Sequence, residues 1–143
     1  MQLSRFTDYS LRVLLYLAIN HSKRATLHEI ADFYPLSLEH LRKVVHALAK
    51  SGYLRTFRGK FGGIELALEA RDIRIGDVVR KFEGQQALLD CAELACRLNP
   101  ACTLKAVLKE GQDAFFSSLN DYSLADLVGT RTDMVRLLFN EVA

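Results

Sequence analysis

The chain has 143 residues, half of them hydrophobic, which is enough for one well-buried core and little more than an appendage beside it. No apolar run is long enough to span a bilayer, and the N-terminal stretch carries an acid inside its apolar segment and no small-residue cleavage site, so a cytoplasmic protein with no membrane partner is expected. The formal charge of +2 divides unevenly: residues 1–60 hold ten Lys/Arg against four Asp/Glu, and residues 61–143 hold nine against thirteen, an asymmetry that suggests a polyanion partner for the N-terminal half.

Over residues 6–19 the apolar positions Leu11, Val13, Leu14, Leu15, Leu17, Ala18 and Ile19 wrap most of a helix, which predicts burial on several sides. Thr7 is read as its N-cap, with Asp8 in the first turn favoured by the helix dipole and Arg12 four residues on as its ion-pair partner. Thr26 caps a short second helix, LHEIADFY, which ends before Pro35. Ser37 caps a third, whose stripe of Leu38, Leu41, Val45 and Leu48 leaves Glu39, His40, Arg42, Lys43, His46 and Lys50 on the opposite face. Two helices joined by a tight turn, the second basic on its outer face, predict a helix-turn-helix over residues 28–51.

Two short β-prone runs follow, YLRTF and IELAL, joined by RGKFGG. This is a hairpin whose glycines permit a sharp turn, and whose Arg58, Lys60 and Gly62 suit a close approach to a phosphate chain or narrow groove. A basic hairpin directly after a helix-turn-helix is the order of parts of a winged helix that binds DNA. His40 and Lys43 are the expected base-edge contacts, and Ser37, Glu39, Arg42, Arg58, Lys60 and Gly62 complete the expected DNA surface. IRIGDVVRKFEG predicts a further helix from about Ile75 to Gly84.

All three cysteines then fall in CAELACRLNPAC, as Cys91, Cys96 and Cys102, with four and then five residues between them. An odd count cannot close into intrachain disulfides. Zinc sites usually pair cysteines at shorter spacing, so loosely spaced soft thiolates suit an iron-sulfur cluster better, with three ordinary buried thiols as the alternative. Asn99 and Pro100 mark a turn, which puts the thiols on a loop. From Thr103 a longer helix carries Leu104, Val107, Leu108, Phe115 and Leu119 on one stripe, with Phe116 beside it, a face suited to a second copy of the chain. A short apolar turn, SLADLV, and the segment MVRLLFN end the chain. The expected class is therefore mainly α with a small β-hairpin wing: a winged helix-turn-helix over residues 1–83, a cysteine loop over 84–102, and a long dimerisation helix with the C-terminal segment over 103–143.

With MQLSRFTDYSLR at the start, RGKFGGIEL in the wing, RIGDVVR before the loop, the three cysteines followed by LKAVL, and DYSLADLV near the end, the chain resembles the NsrR branch of the dimeric winged-helix iron-sulfur regulators, which also include IscR and RirA. The resemblance implies a homodimeric repressor that binds a palindromic operator in double-stranded DNA and senses nitric oxide. It implies a 4Fe-4S cluster, with 2Fe-2S as the alternative, held by Cys91, Cys96 and Cys102 and by Asp8 of the partner subunit. Where IscR-like members place a histidine after the third cysteine, this chain has Thr103, Leu104 and Lys105. Phe61 replaces a polar residue usual at the wing tip, and Glu65 stands where a basic residue is common. A RirA-like iron-responsive regulator with the same ligands is the alternative within this class. A redox or metal-handling enzyme is the alternative outside it, and the sequence offers that reading no nucleotide-binding glycine motif and no paired base and nucleophile.

Overall fold

The first helix, α1 (Arg5–Ile19), buries Val13, Leu14, Tyr16, Leu17, Ala18 and Ile19 because its apolar residues occupy most of its circumference. It is accordingly surrounded by the later elements. The structure, a computed structural model, describes residues 2–129 apart from 85, 92 and 94, so MVRLLFN and the end of the segment 103–143 lie outside the described residues. Helix α1 starts earlier than Thr7: Ser4 is its N-cap, and its hydroxyl accepts from the Thr7 amide at 3.2 Å. Thr7 is instead fully buried in the first turn. The reason is tertiary, since Glu83, distant in sequence, accepts the Ser4 amide at 2.7 Å and fixes the start of the helix there. Burial alone would raise the Glu83 carboxyl, but hydrogen bonds from Thr7 and Ser4 outweigh it and hold the group below the usual carboxylate range.

Helix α2 (Leu27–Phe33) opens with Thr26 as its N-cap, as expected, and Glu29 completes a capping box: Thr26 accepts the Glu29 amide at 3.2 Å, and the Glu29 carboxylate accepts the Thr26 amide at 2.6 Å. Helix α3 (Leu38–Lys50) is capped by Ser37 and turns Leu41, Val44, Val45 and Leu48 into the core. Strands β1 (Leu54–Phe57) and β2 (Gly63–Leu66) pair antiparallel, with Leu54 opposite Leu66 and Phe57 opposite Gly63. Ala25, just before α2, adds two backbone hydrogen bonds to Ile64, of 3.0 and 2.8 Å, so the wing is tied to the entry of the helix-turn-helix.

Helix α4 (Ile75–Glu83) ends at Gly84 as expected and packs on α1 and on α5 (Thr103–Asn120). Gly76 lets α5 approach closely, because any side chain there would meet the Phe116 carbonyl and the Asn120 side chain. Asn120 donates to Asp77 at 2.9 Å, and Arg80 lies 4.8 Å above the Phe116 ring. The last described helix, α6 (Leu124–Val128), returns to α1, and Leu124 joins the same buried cluster as Leu14, Leu41, Ile73 and Phe116. No described helix is long and apolar enough to cross a membrane.

Candidate nucleic-acid interface and cysteine loop

On α3 the residues Glu39, Arg42, Lys43, His46 and Lys50 are exposed on the face opposite the core. The amphipathic spacing of Leu41, Val45 and Leu48 fixes this orientation, since burying that stripe leaves the polar face no choice. Glu39 and Lys43 form an exposed i, i+4 pair at 3.4 Å. Ser37 uses its hydroxyl on the His40 amide at 3.5 Å. His40 itself is half-buried, its ring 4.8 Å from that of Tyr9 and 6.4 Å from that of Phe6. It therefore packs toward α1 more than its neighbours Lys43 and His46 do.

The wing stands beside α2 and the Val45 side of α3. A groove between them is lined by His28, Val45, Phe57, Lys60 and Gly62. At the tip the Gly62 amide donates to the Gly59 carbonyl at 2.9 Å, and a side chain at position 62 would collide with the Phe57 carbonyl, so the turn requires glycine there. Arg58, Lys60 and Phe61 project from it, all exposed. Glu65 does not face outward as a free carboxylate: it pairs with Arg24 at 3.0 Å and with Arg55 at 3.5 Å. Arg24 also donates to the Phe61 carbonyl at 3.2 Å, and its guanidinium lies 3.4 Å over the Phe57 ring. Sequence reading passed over Arg24 as one more cation. Its signal was its place beside Ala25, which joins the edge of β2.

The three cysteines are free; Cys96 is exposed, and Cys91 and Cys102 are partly so. The Cys96 amide donates to the Cys91 carbonyl at 3.3 Å and the Asn99 amide to the Cys96 carbonyl at 3.1 Å, which winds the loop into successive turns. A single 3-10 turn, Asn99–Ala101, delivers Cys102 to the N-cap of α5. Lys105 in the first turn of α5 holds Asn99 at 2.7 Å. The donor set is chemically suited to an iron-sulfur cluster: three accessible soft ligands on a loop, with no disulfide consuming them. Among the described residues, however, no three Cys, His, Asp or Glu side chains stand close enough together to hold a metal ion. Thiolate loops commonly take their final form with the metal, because binding and folding are coupled.

Asp8 lies apart from the loop, in the first turn of α1, and accepts from Arg12 Nε at 2.7 Å with 43% of its side chain exposed. The Asp8–Arg12 pair is thus formed as its spacing implies, and the carboxylate stays reachable from outside the chain. The apolar stripe of α5 divides in two. Leu104 and Val107 are 59% and 56% exposed, whereas Phe115 and Leu119 pack against the core beside the buried Phe116. Leu108 lines a cleft of about 340 Å³ with Arg80, Leu88, Lys109 and Phe116.

The sequence pattern of the Rrf2 family, described as iron-dependent transcriptional regulators, matches residues 3–130. An HTH-type transcriptional regulator NsrR of Shouchella clausii is 44% identical over 142 residues, covering 96% of this chain and 95% of that protein. Among solved structures, T. potens IscR superposes with a TM-score of 0.74 at 26% identity, over 90% of this chain and 86% of that one. CymR, the global cysteine regulator of B. subtilis, superposes with a TM-score of 0.71, also at 26% identity, over 90% of this chain and 96% of that one.

Proposed function

Because the chain belongs to the Rrf2 family of transcriptional regulators, we propose that it is a homodimeric repressor of the NsrR type, whose affinity for a palindromic DNA operator is controlled by an iron-sulfur cluster that reacts with nitric oxide. It is a DNA-binding regulator and not an enzyme, as its relatives are. The observation that carries the finer reading is the confinement of every thiol in the protein to one partly exposed loop, directly ahead of the helix whose first half leaves Leu104 and Val107 exposed. A sensor must couple a ligand site to the geometry of its subunits, and this junction is where such coupling is shortest.

In this reading Cys91, Cys96 and Cys102 hold the cluster, of the 4Fe-4S type, and the exposed Asp8 of the partner subunit supplies a fourth, oxygen ligand. When bound, the cluster supplies an iron whose exchangeable ligand nitric oxide can displace. The chain's own part is mechanical. Asp8 is rooted in α1, which packs directly on α3, so a pull on its carboxylate is transmitted to the DNA-reading helix through a close-packed core. Leu104 and Val107 set the separation of the two subunits. Operator half-sites have a fixed spacing, so a small change in that separation removes much of the binding energy.

On DNA, α3 enters the major groove with Glu39, Arg42, Lys43 and His46, and Ser37 and His40 sit at its leading end. Arg58 and Lys60 hold phosphates or the minor groove. The test is the salt dependence of binding to a duplex that the protein selects from a randomised pool. Arg58→Ala and Lys60→Ala should each weaken binding to all sequences and lower the slope of log affinity against log salt by about one unit. Unchanged slopes for both variants would remove the wing from the contact surface.

A further inference from the structure

Phe61 exposes 83% of its surface at the tip of the wing, more than any other large hydrophobic side chain among the described residues. Its backbone is nonetheless held: Arg24 donates to its carbonyl at 3.2 Å while stacking on Phe57 and pairing with Glu65, and the Gly62–Gly59 hydrogen bond closes the turn behind it. Cations share the tip with the ring: Lys60 Nζ lies 5.9 Å from its centroid, and Arg58 is exposed three residues earlier. A braced tip that offers one bare aromatic ring together with two exposed positive charges is suited to a narrow, polyanionic groove. The charges meet phosphates of the groove wall, and the ring reaches the bases.

We propose that Phe61 is an apolar wedge that enters the minor groove and partly unstacks a base step, so that operator choice includes a deformable step which no polar side chain touches. This rests on the DNA-binding reading above and deepens it. The occupant is DNA because the tip carries the exposed cations Arg58 and Lys60 and belongs to the same basic half of the chain as the exposed Arg42, Lys43 and Lys50 of α3. Two surfaces side by side, one for each groove of a duplex, match a rod-shaped polyanion. Pyrimidine–purine steps unstack most easily, so one of these should lie under the wing.

The experiment uses the full-length protein, purified anaerobically, and the duplex that it selects from a randomised pool, with a fluorescent adenine analogue placed at the flexible step under the wing. Wild type should brighten the analogue, as unstacking does. Phe61→Ala should lose that signal and bind roughly tenfold more weakly, with the salt slope unchanged, because no charge is removed. Phe61→Leu should retain most of both effects, since a leucine can also part a base step. A Phe61→Ala protein with wild-type affinity and wild-type brightening overturns the wedge while leaving DNA binding intact. So does a Phe61→Ala protein that changes only its self-association or its binding to anionic vesicles. If wild type selects no duplex at all, the DNA-binding reading fails and the wedge fails with it.

Discussion

Asp8 has one role that the structure shows and one that we propose, and one substitution separates them. As a first-turn carboxylate paired with Arg12 at 2.7 Å, it contributes about 0.3 to 1 kcal/mol to α1. As the proposed ligand from the partner subunit it would contribute to sensing. If only the first role holds, Asp8→Ala lowers thermal stability slightly and leaves the cluster spectrum alone. The expected outcome is different: a cluster still assembles on Cys91, Cys96 and Cys102, its absorbance and circular dichroism change, and the loss of DNA affinity on exposure to nitric oxide shrinks. A variant that keeps the wild-type spectrum and the full response would show that Asp8 is structural alone. Single residues were unevenly legible in the sequence. The Asp8–Arg12 pair and the Thr26 cap are local, and spacing reveals them. Ser4 as the cap of α1 and Arg24 as the brace of the wing depend on Glu83 and on Phe61 and Glu65, partners far along the chain.

At the scale of elements, α5 makes two kinds of contact. Its second half anchors Phe116 against α4 over Gly76, and its first half leaves Leu104 and Val107 exposed. Val107→Asp is therefore the clean probe of the dimer. A charge placed at an exposed position leaves the single chain folded, but unpaired in a subunit seam it costs several kcal/mol, on the order of the whole surplus that holds two subunits together. Sedimentation at micromolar concentration should give a dimer for wild type and a folded monomer for Val107→Asp, and a wild-type monomer would contradict the dimer. The same change at Leu108 would be ambiguous, because Leu108 also lines the cleft against Phe116. The helical period exposed the stripe on α5 in the sequence but not its division. Which turns of a helix meet the core depends on where α4 ends and how closely Gly76 lets α5 approach, and neither is encoded in the stripe.

For the whole molecule, the order of parts and the basic N-terminal half were readable, because a helix-turn-helix and its hairpin are built from contacts close in sequence. Whether the three thiols meet was not, and among the described residues they do not stand close enough together to hold a metal ion, since a loop of soft ligands takes shape with what it binds. In the proposed function, what unites the parts is the path from the loop, through α1 and α5, to the separation of two α3 helices. That claim is tested most directly by an anaerobic titration of the wild-type dimer with nitric oxide, in which cluster absorbance and affinity for the selected operator are followed on the same sample. Both should change together and reach their end points at the same amount of nitric oxide. A cluster that reacts to completion while operator affinity stays constant, with affinity falling only when iron is withdrawn, would contradict nitric oxide sensing and favour an iron-responsive regulator built on the same ligands.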